Sequence, residues 1–342
     1  MAIAPLRALP MAKQQHVTYS PAYTLVPTYE CFNRCSYCNF RVEPGQDTWL
    51  SLSTAEQRLR SLHLTPGAAS GPAQPVTEIL ILSGEVHPHS ARRGAWFQRI
   101  YQICELALSL GFLPHSNVGP LSRAEMETLK TVNVSMGLML EQVTPALVAT
   151  VHRQAPSKVP DLRLQQVEQA GALQIPFTTG LLLGIGETVA DRVETLEAIA
   201  QLHRQWGHIQ EVILQPYSPG TTEQRSSEPL PLSELVETVA LARAILPSDI
   251  TLQIPPNLVR SPEQLLACLA AGARDLGGIC PKDEVNPDYD HPLQAELTAV
   301  LETAGWQFLP RLPVYPQYDA WLVPSLRAIV QAHRHRLAAQ AK

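Results

Sequence analysis

No long run of Lys and Arg occurs in these 342 residues, and 26 basic against 31 acidic side chains leave a formal charge of -5. That balance lacks the electrostatic footprint of a nucleic-acid binder. No apolar stretch reaches the roughly 18 residues that would suggest a membrane span, and the first twenty residues lack the apolar core of a secretory signal. A cytosolic protein is expected. No internal repeat is visible, which excludes a solenoid. Charged residues make up only 17% and hydrophobic ones 45%, enough apolar material to build one large core and too much for a disordered chain.

A second pair of closely spaced cysteines is also missing. Six cysteines are present, and in a reducing compartment they read as ligands or buried small hydrophobes rather than disulfide partners. Cys104, Cys268 and Cys280 are scattered and are expected to be structural. Cys31, Cys35 and Cys38 fall within eight residues, in PTYECFNRCSYCNF. A four-cysteine zinc site needs another pair, and a fully ligated electron-transfer cluster needs a fourth nearby cysteine. Three thiolates on one short loop can instead converge on one face of a cubane, leaving one iron without a protein ligand.

From Thr24 onward, short β-rich runs alternate with helix-like stretches. The strands are expected at Thr24–Pro27, Ile79–Ser83, Phe112–His115, Val134–Leu140, Phe177–Leu183, Val212–Leu214 and Thr251–Ile254, with an eighth near Asp275–Ile279. Helices are expected between them, with Gly111 and Gly171 just past helix ends. Strands regularly joined by helices imply parallel pairing through right-handed crossovers. Seven units, with the eighth near Asp275–Ile279, favour a closed barrel over an open doubly wound sheet: an α/β fold, a (β/α)8 TIM-like barrel, complete or nearly so. Residues 1–20 are expected to form a loosely held leader, 21–292 the barrel, and 293–342 a C-terminal helical extension packed on it. A Pro-broken segment is expected at Leu309–Pro316, and residues 64–76 read as a surface loop.

The cysteine spacing, with Tyr37 as the aromatic before the third cysteine, resembles the signature of the radical S-adenosylmethionine superfamily. That resemblance implies a [4Fe–4S] cluster on Cys31, Cys35 and Cys38, whose open iron binds S-adenosylmethionine through its amino and carboxylate groups. Reductive cleavage then yields methionine and a 5′-deoxyadenosyl radical that takes a hydrogen atom from substrate. Ser83-Gly84-Glu85 resembles the family's Gly-Gly-Glu element, which receives the ammonium of S-adenosylmethionine. Gly180, Gly184 and Glu187 resemble the element that brings backbone close to the adenine, although such glycines can equally serve strand and helix packing. Glu141 is a candidate for the ribose or amino group. Arg163 is a candidate for the carboxylate, with Lys158 as the alternative; an Arg fork suits a carboxylate.

TLVPTYECFNRCSYCNFR, SGE, FTTGLLLGIGET, QIPPNL and DLGGICP narrow the likeness: over roughly residues 22–290 the chain resembles the CofG family of deazaflavin-forming enzymes. This implies hydrogen abstraction from 5-amino-5-(4-hydroxybenzyl)-6-(D-ribitylimino)-5,6-dihydrouracil, the tyrosine–ribitylaminouracil adduct, followed by ring closure and ammonia release. It also implies a CofH-like partner subunit that makes the adduct, and an electron donor such as ferredoxin or flavodoxin. Gln253, Asn257 and Asp275, near the ends of late strands, are candidates for the uracil edge or ribityl hydroxyls, or for simple chain capping. His87 and His89, after the SGE element, could move a proton during ammonia loss or be solvated. No catalytic base is assigned.

Overall fold

The computed structural model describes residues 15–63, 75–223, 228–259, 261–280 and 282–340. Most of the expected leader and residues 64–74 of the expected surface loop lie outside them. Within them the strands are β1 Gln15–Leu25, β2 Glu78–Leu82, β3 Leu113–Asn117, β4 Ser135–Gly137, β5 Phe177–Leu183, β6 Ile209–Pro216, β7 Thr251–Gln253, β8 Asp275–Ile279 and β9 Trp306–Pro310. Every pairing is parallel, in the order β2-β3-β4-β5-β6-β7-β8-β1, and β1 also pairs with β2. The sheet therefore closes into the eight-stranded barrel that the alternation implies.

Helices α1 Leu52–His63, α2 Arg93–Ser109, α3 Arg123–Leu129, α4 Pro160–Ala172, α5 Val189–Trp206, α6 Leu232–Ile245 and α7 Pro262–Ala271 return the chain between strands. Their inner stripes follow helical spacing. In α2, Trp96, Ile100, Ile103, Cys104 and Ala107 are all fully buried, as a helix laid on a sheet requires. β5 is buried at all seven positions, which is why FTTGLLL reads as a continuous apolar run rather than an alternation. Cys104, Cys268 and Cys280 are buried and free, as expected.

Two expectations need correction. β1 starts at Gln15, inside the segment expected to be a loose leader, because its first residues pair with β9: Gln15 opposite Trp306 through Tyr19 opposite Pro310. The C-terminal extension is accordingly not purely helical. It holds α8 Gln294–Thr303, β9 and α9 Pro324–Gln340, and β9 occupies part of the stretch read as a Pro-broken link. Leu312, Val314, Leu326 and Val330 form a second apolar core with Leu113, which opens β3, and Val134, just before β4. The extension thus covers the N-terminal rim of the barrel, and the opposite, C-terminal rim carries the cysteine loop.

Candidate active site

The chain leaves β1 at Leu25 and enters a loop that runs to α1. Buried polar contacts hold this loop. Thr28 Oγ1 and the Tyr29 amide each donate to Asp47 at 2.8 Å, while the buried Glu30 carboxylate accepts from the Gly45 amide (2.8 Å), Trp49 Nε1 (3.2 Å) and Arg92 Nη1 (2.5 Å). A segment after β4 clamps it from outside: the amides of Arg34 and Ser36 donate to the carbonyls of Gln154 and Val151 at 2.7 and 3.0 Å. So fixed, Cys31, Cys35 and Cys38 are half-buried and line one cavity at the barrel mouth.

Burial pushes the Cys31 thiol up to about 11 and the Cys35 thiol to about 12, Lys158 pulling the latter down against it. Thiols held this way bind iron only as thiolates, so metal must displace their protons. Among the described residues no group of three His, Cys, Asp or Glu side chains closes around a single ion. Three clustered thiols with no fourth cysteine beside them are the donor set that a cubane with one open iron requires.

Gly84 shows why that position excludes other residues. A Cβ there would lie 2.0 Å from the Glu30 carbonyl oxygen, so β2 can meet the cysteine loop only through glycine. Beside it, Glu85 joins three elements. Arg163 Nη2 donates to its Oε1 at 2.8 Å, and Asn33 Nδ2 (2.8 Å) and the Ser157 hydroxyl donate to Oε2. Arg163 is almost fully buried and also donates to the carbonyls of Met139 (2.6 Å) and Ser157 (3.0 Å). Removing one partner from such a pair leaves a stranded charge and costs roughly 3–5 kcal/mol.

Glu141 follows β4 with a φ of 63°, a left-handed conformation that costs of order 1–3 kcal/mol in a non-glycine residue and collects at functional sites. Its carboxylate takes Lys158 Nζ at 2.5 Å. Burial works against its charge, but Lys158 and Arg163 outweigh it and hold the carboxyl below its ordinary value. Both carboxylate-binding alternatives therefore line the cavity, Arg163 tied to Glu85 and Lys158 tied to Glu141.

Tyr37 and Ser83 also line it. The Tyr37 hydroxyl pairs with His152 Nε2 at 2.9 Å, and burial, then Lys158, push that imidazole down to about 4, so it is neutral. Ser83 accepts from Trp96 Nε1 at 2.9 Å and donates to the Gly84 carbonyl at 2.8 Å.

Other expected residues stand elsewhere. Gly180 and Gly184 lie behind the wall that Leu182 presents: a Cβ on Gly180 would come within 2.4 Å of the Ile213 carbonyl oxygen, so its absence serves strand packing. Glu187 is turned to its own loop, accepting from the amides of Gly184 (2.7 Å) and Ile185 (2.9 Å) and from Arg192 Nε (2.9 Å). His87 and His89 are exposed outside the cavity, His87 edge-on to Phe32. Asp275 is not at the mouth. It is fully buried deep in the barrel, held by Arg311 Nε at 2.6 Å and Nη2 at 2.8 Å. Gln253 and Asn257 do line the barrel interior, and Asn257 Nδ2 donates to Asp283 at 2.8 Å. Sequence reasoning missed Asn33 and Ser157, which bracket Glu85, and Asn117 on the cavity wall. Single polar residues without a spacing pattern carry no signal, although Asn33 stands between two of the cysteines.

The Radical SAM superfamily model matches residues 25–199. A protein of Trichormus variabilis named 7,8-didemethyl-8-hydroxy-5-deazariboflavin synthase is 64% identical over 93% of this chain and 91% of its own length. One of the same name from Trichodesmium erythraeum is 63% identical over 94% and 98%. Among solved structures, the FeFe-hydrogenase maturase HydG from Carboxydothermus hydrogenoformans superimposes with a TM-score of 0.70 at 20% identity, covering 93% of this chain and 77% of that one. Methylornithine synthase (PylB) gives 0.63 at 14% identity, over 90% and 87%; both likenesses are of fold. With the cysteine triad set at the mouth of a parallel barrel, these matches place the chain in the radical SAM superfamily and, within it, in the family of 7,8-didemethyl-8-hydroxy-5-deazariboflavin synthases.

Proposed function

We propose that this chain converts the tyrosine–ribitylaminouracil adduct into 7,8-didemethyl-8-hydroxy-5-deazariboflavin, releasing ammonia. The observation that carries this reading is the single cavity where Cys31, Cys35 and Cys38 meet the Glu85–Arg163 and Glu141–Lys158 pairs. A bound [4Fe–4S] cluster and S-adenosylmethionine supply the hydrogen-abstracting radical. The three cysteines hold the cluster. Glu85 and Glu141 offer acceptors to an ammonium and to ribose hydroxyls, and Lys158 offers a cation to a carboxylate. Arg163 holds Glu85 in place. Tyr37, Leu182 and Tyr217 give an apolar wall that keeps water from the reacting carbon.

A CofH-like subunit supplies the adduct in this reading, and a low-potential carrier such as ferredoxin or flavodoxin supplies the electron. The testing experiment combines reduced, reconstituted protein with S-adenosylmethionine and purified adduct. Deazaflavin fluorescence, with methionine and 5′-deoxyadenosine, is the expected outcome; 5′-deoxyadenosine without deazaflavin contradicts the substrate assignment.

A further inference from the structure

Barrels of this type fill their interiors with layers of branched apolar side chains. Here the inward positions Glu78 on β2, His115 on β3, Thr178 on β5 and Glu211 on β6 build a polar floor instead, closed from below by Arg311 after β9. Above it stand Leu82 and Asn117, which border both this interior and the cysteine cavity. His115 and Asn117 are two strand residues apart, roughly 7 Å.

Glu78, Glu211 and His115 give this floor acceptors for a ligand. Arg311, its one guanidinium, is already shared between Asp275 and Glu211. Tyr315 OH and Thr178 Oγ1 donate to Glu211 at 3.0 and 3.1 Å. Ser135 has a single proton and donates it to the Pro313 carbonyl at 2.6 Å, so its 2.7 Å contact with His115 must be an Nδ1–H donating to Oγ. Among the described residues Nε2 then has no hydrogen-bond partner, and its lone pair is bare. Gly137 leaves the space beside it open: a Cβ there would lie 3.0 Å from Nε2. His115 is more than nine-tenths buried, and burial, then Arg311, push it down to about 3, so it acts as an uncharged acceptor. Burial likewise pushes Glu78 up, and Glu211 to about 7, so an anion is unwelcome here.

A slender, uncharged ligand rich in O–H donors fits this floor. We propose that the floor takes the hydroxylated side chain of the substrate, His115 Nε2 accepting from one hydroxyl, while the ring system stays at the wall shared with the cysteine cavity. This rests on the functional reading above, in which the substrate carries a ribityl chain. The reacting carbon must lie beside the cluster cavity, so the non-reacting chain is the part that points inward. Two strand residues separate the shared wall from His115, a reach that a five-carbon chain spans.

The test compares steady-state KM for the adduct and for an analogue with an unsubstituted pentyl group in place of ribityl. In the unaltered protein the analogue should show a KM at least tenfold higher. His115→Phe should raise KM for the adduct at least tenfold and leave that for the pentyl analogue within twofold, a selectivity that a merely structural role cannot give. Thr178→Val, nearly isosteric, should show the same pattern several-fold, and stands in if His115→Phe does not fold by circular dichroism. Equal KM values for the two substrates in the unaltered protein, or an equal rise for both in the variants, overturn the assignment. If the unaltered protein makes no deazaflavin from the adduct at all, the functional reading itself fails, and the floor loses its ligand with it.

Discussion

That Cys31, Cys35 and Cys38 share one cavity was legible because close spacing is a local property of the chain. Cys35→Ala should lower iron from about four per chain and abolish 5′-deoxyadenosine formation, measured by iron assay and chromatography; full activity would remove Cys35 from the ligand set. Gly84 reads in sequence as part of a motif, but its reason is the Glu30 carbonyl oxygen 2.0 Å from any added Cβ. Gly84→Ala should therefore destabilise the fold by at least about 1–3 kcal/mol, seen as a lower melting temperature of the iron-loaded protein. His208 illustrates a buried group invisible to sequence reasoning. It is fully buried, and burial pushes its imidazole down to about 3. The unfolded chain takes up that proton near pH ~6.5, so stability falls as pH drops through the window between those values. His208→Leu should thus lose less of its urea midpoint between pH 7.5 and 5.5 than the unaltered protein does.

At the scale of elements, β5 was readable to the residue because it is a continuous run with clear stops. β9 was not. Its five residues end in proline, and its strand character comes only from pairing with Gln15–Tyr19 at the other end of the chain. The same long-range pairing orders the start of β1, which local pattern reads as leader. Gly171 misled in the opposite direction. It lies inside α4 rather than past its end, since its missing side chain makes room for Trp206, whose Cβ would sit 2.5 Å from an added carbon. Arg311, delivered by the segment after β9, neutralises Asp275 and Glu211 in the barrel interior. Arg311→Met should cost about 3–5 kcal/mol by stranding those carboxylates, measured by urea denaturation. A loss under 1 kcal/mol would contradict the role given to that arginine.

The whole molecule is a closed parallel barrel with the cysteine cavity at one rim and a sealing extension at the other. Alternation of strands and helices made the barrel legible, and the motif after the first strand placed the site at the C-terminal rim. The polar interior was not legible, because Glu78, His115, Thr178 and Glu211 sit in four separate strands and meet only when the sheet closes. Among the described residues no helix is long and apolar enough to cross a membrane. The proposed chemistry depends on three thiolates leaving one iron of a cubane open to S-adenosylmethionine. Electron paramagnetic resonance of the anaerobically reconstituted, reduced protein tests it most directly. An open iron predicts a [4Fe–4S] signal whose g-values shift when S-adenosylmethionine is added; a signal that does not move, or the absence of any cubane signal, would contradict it.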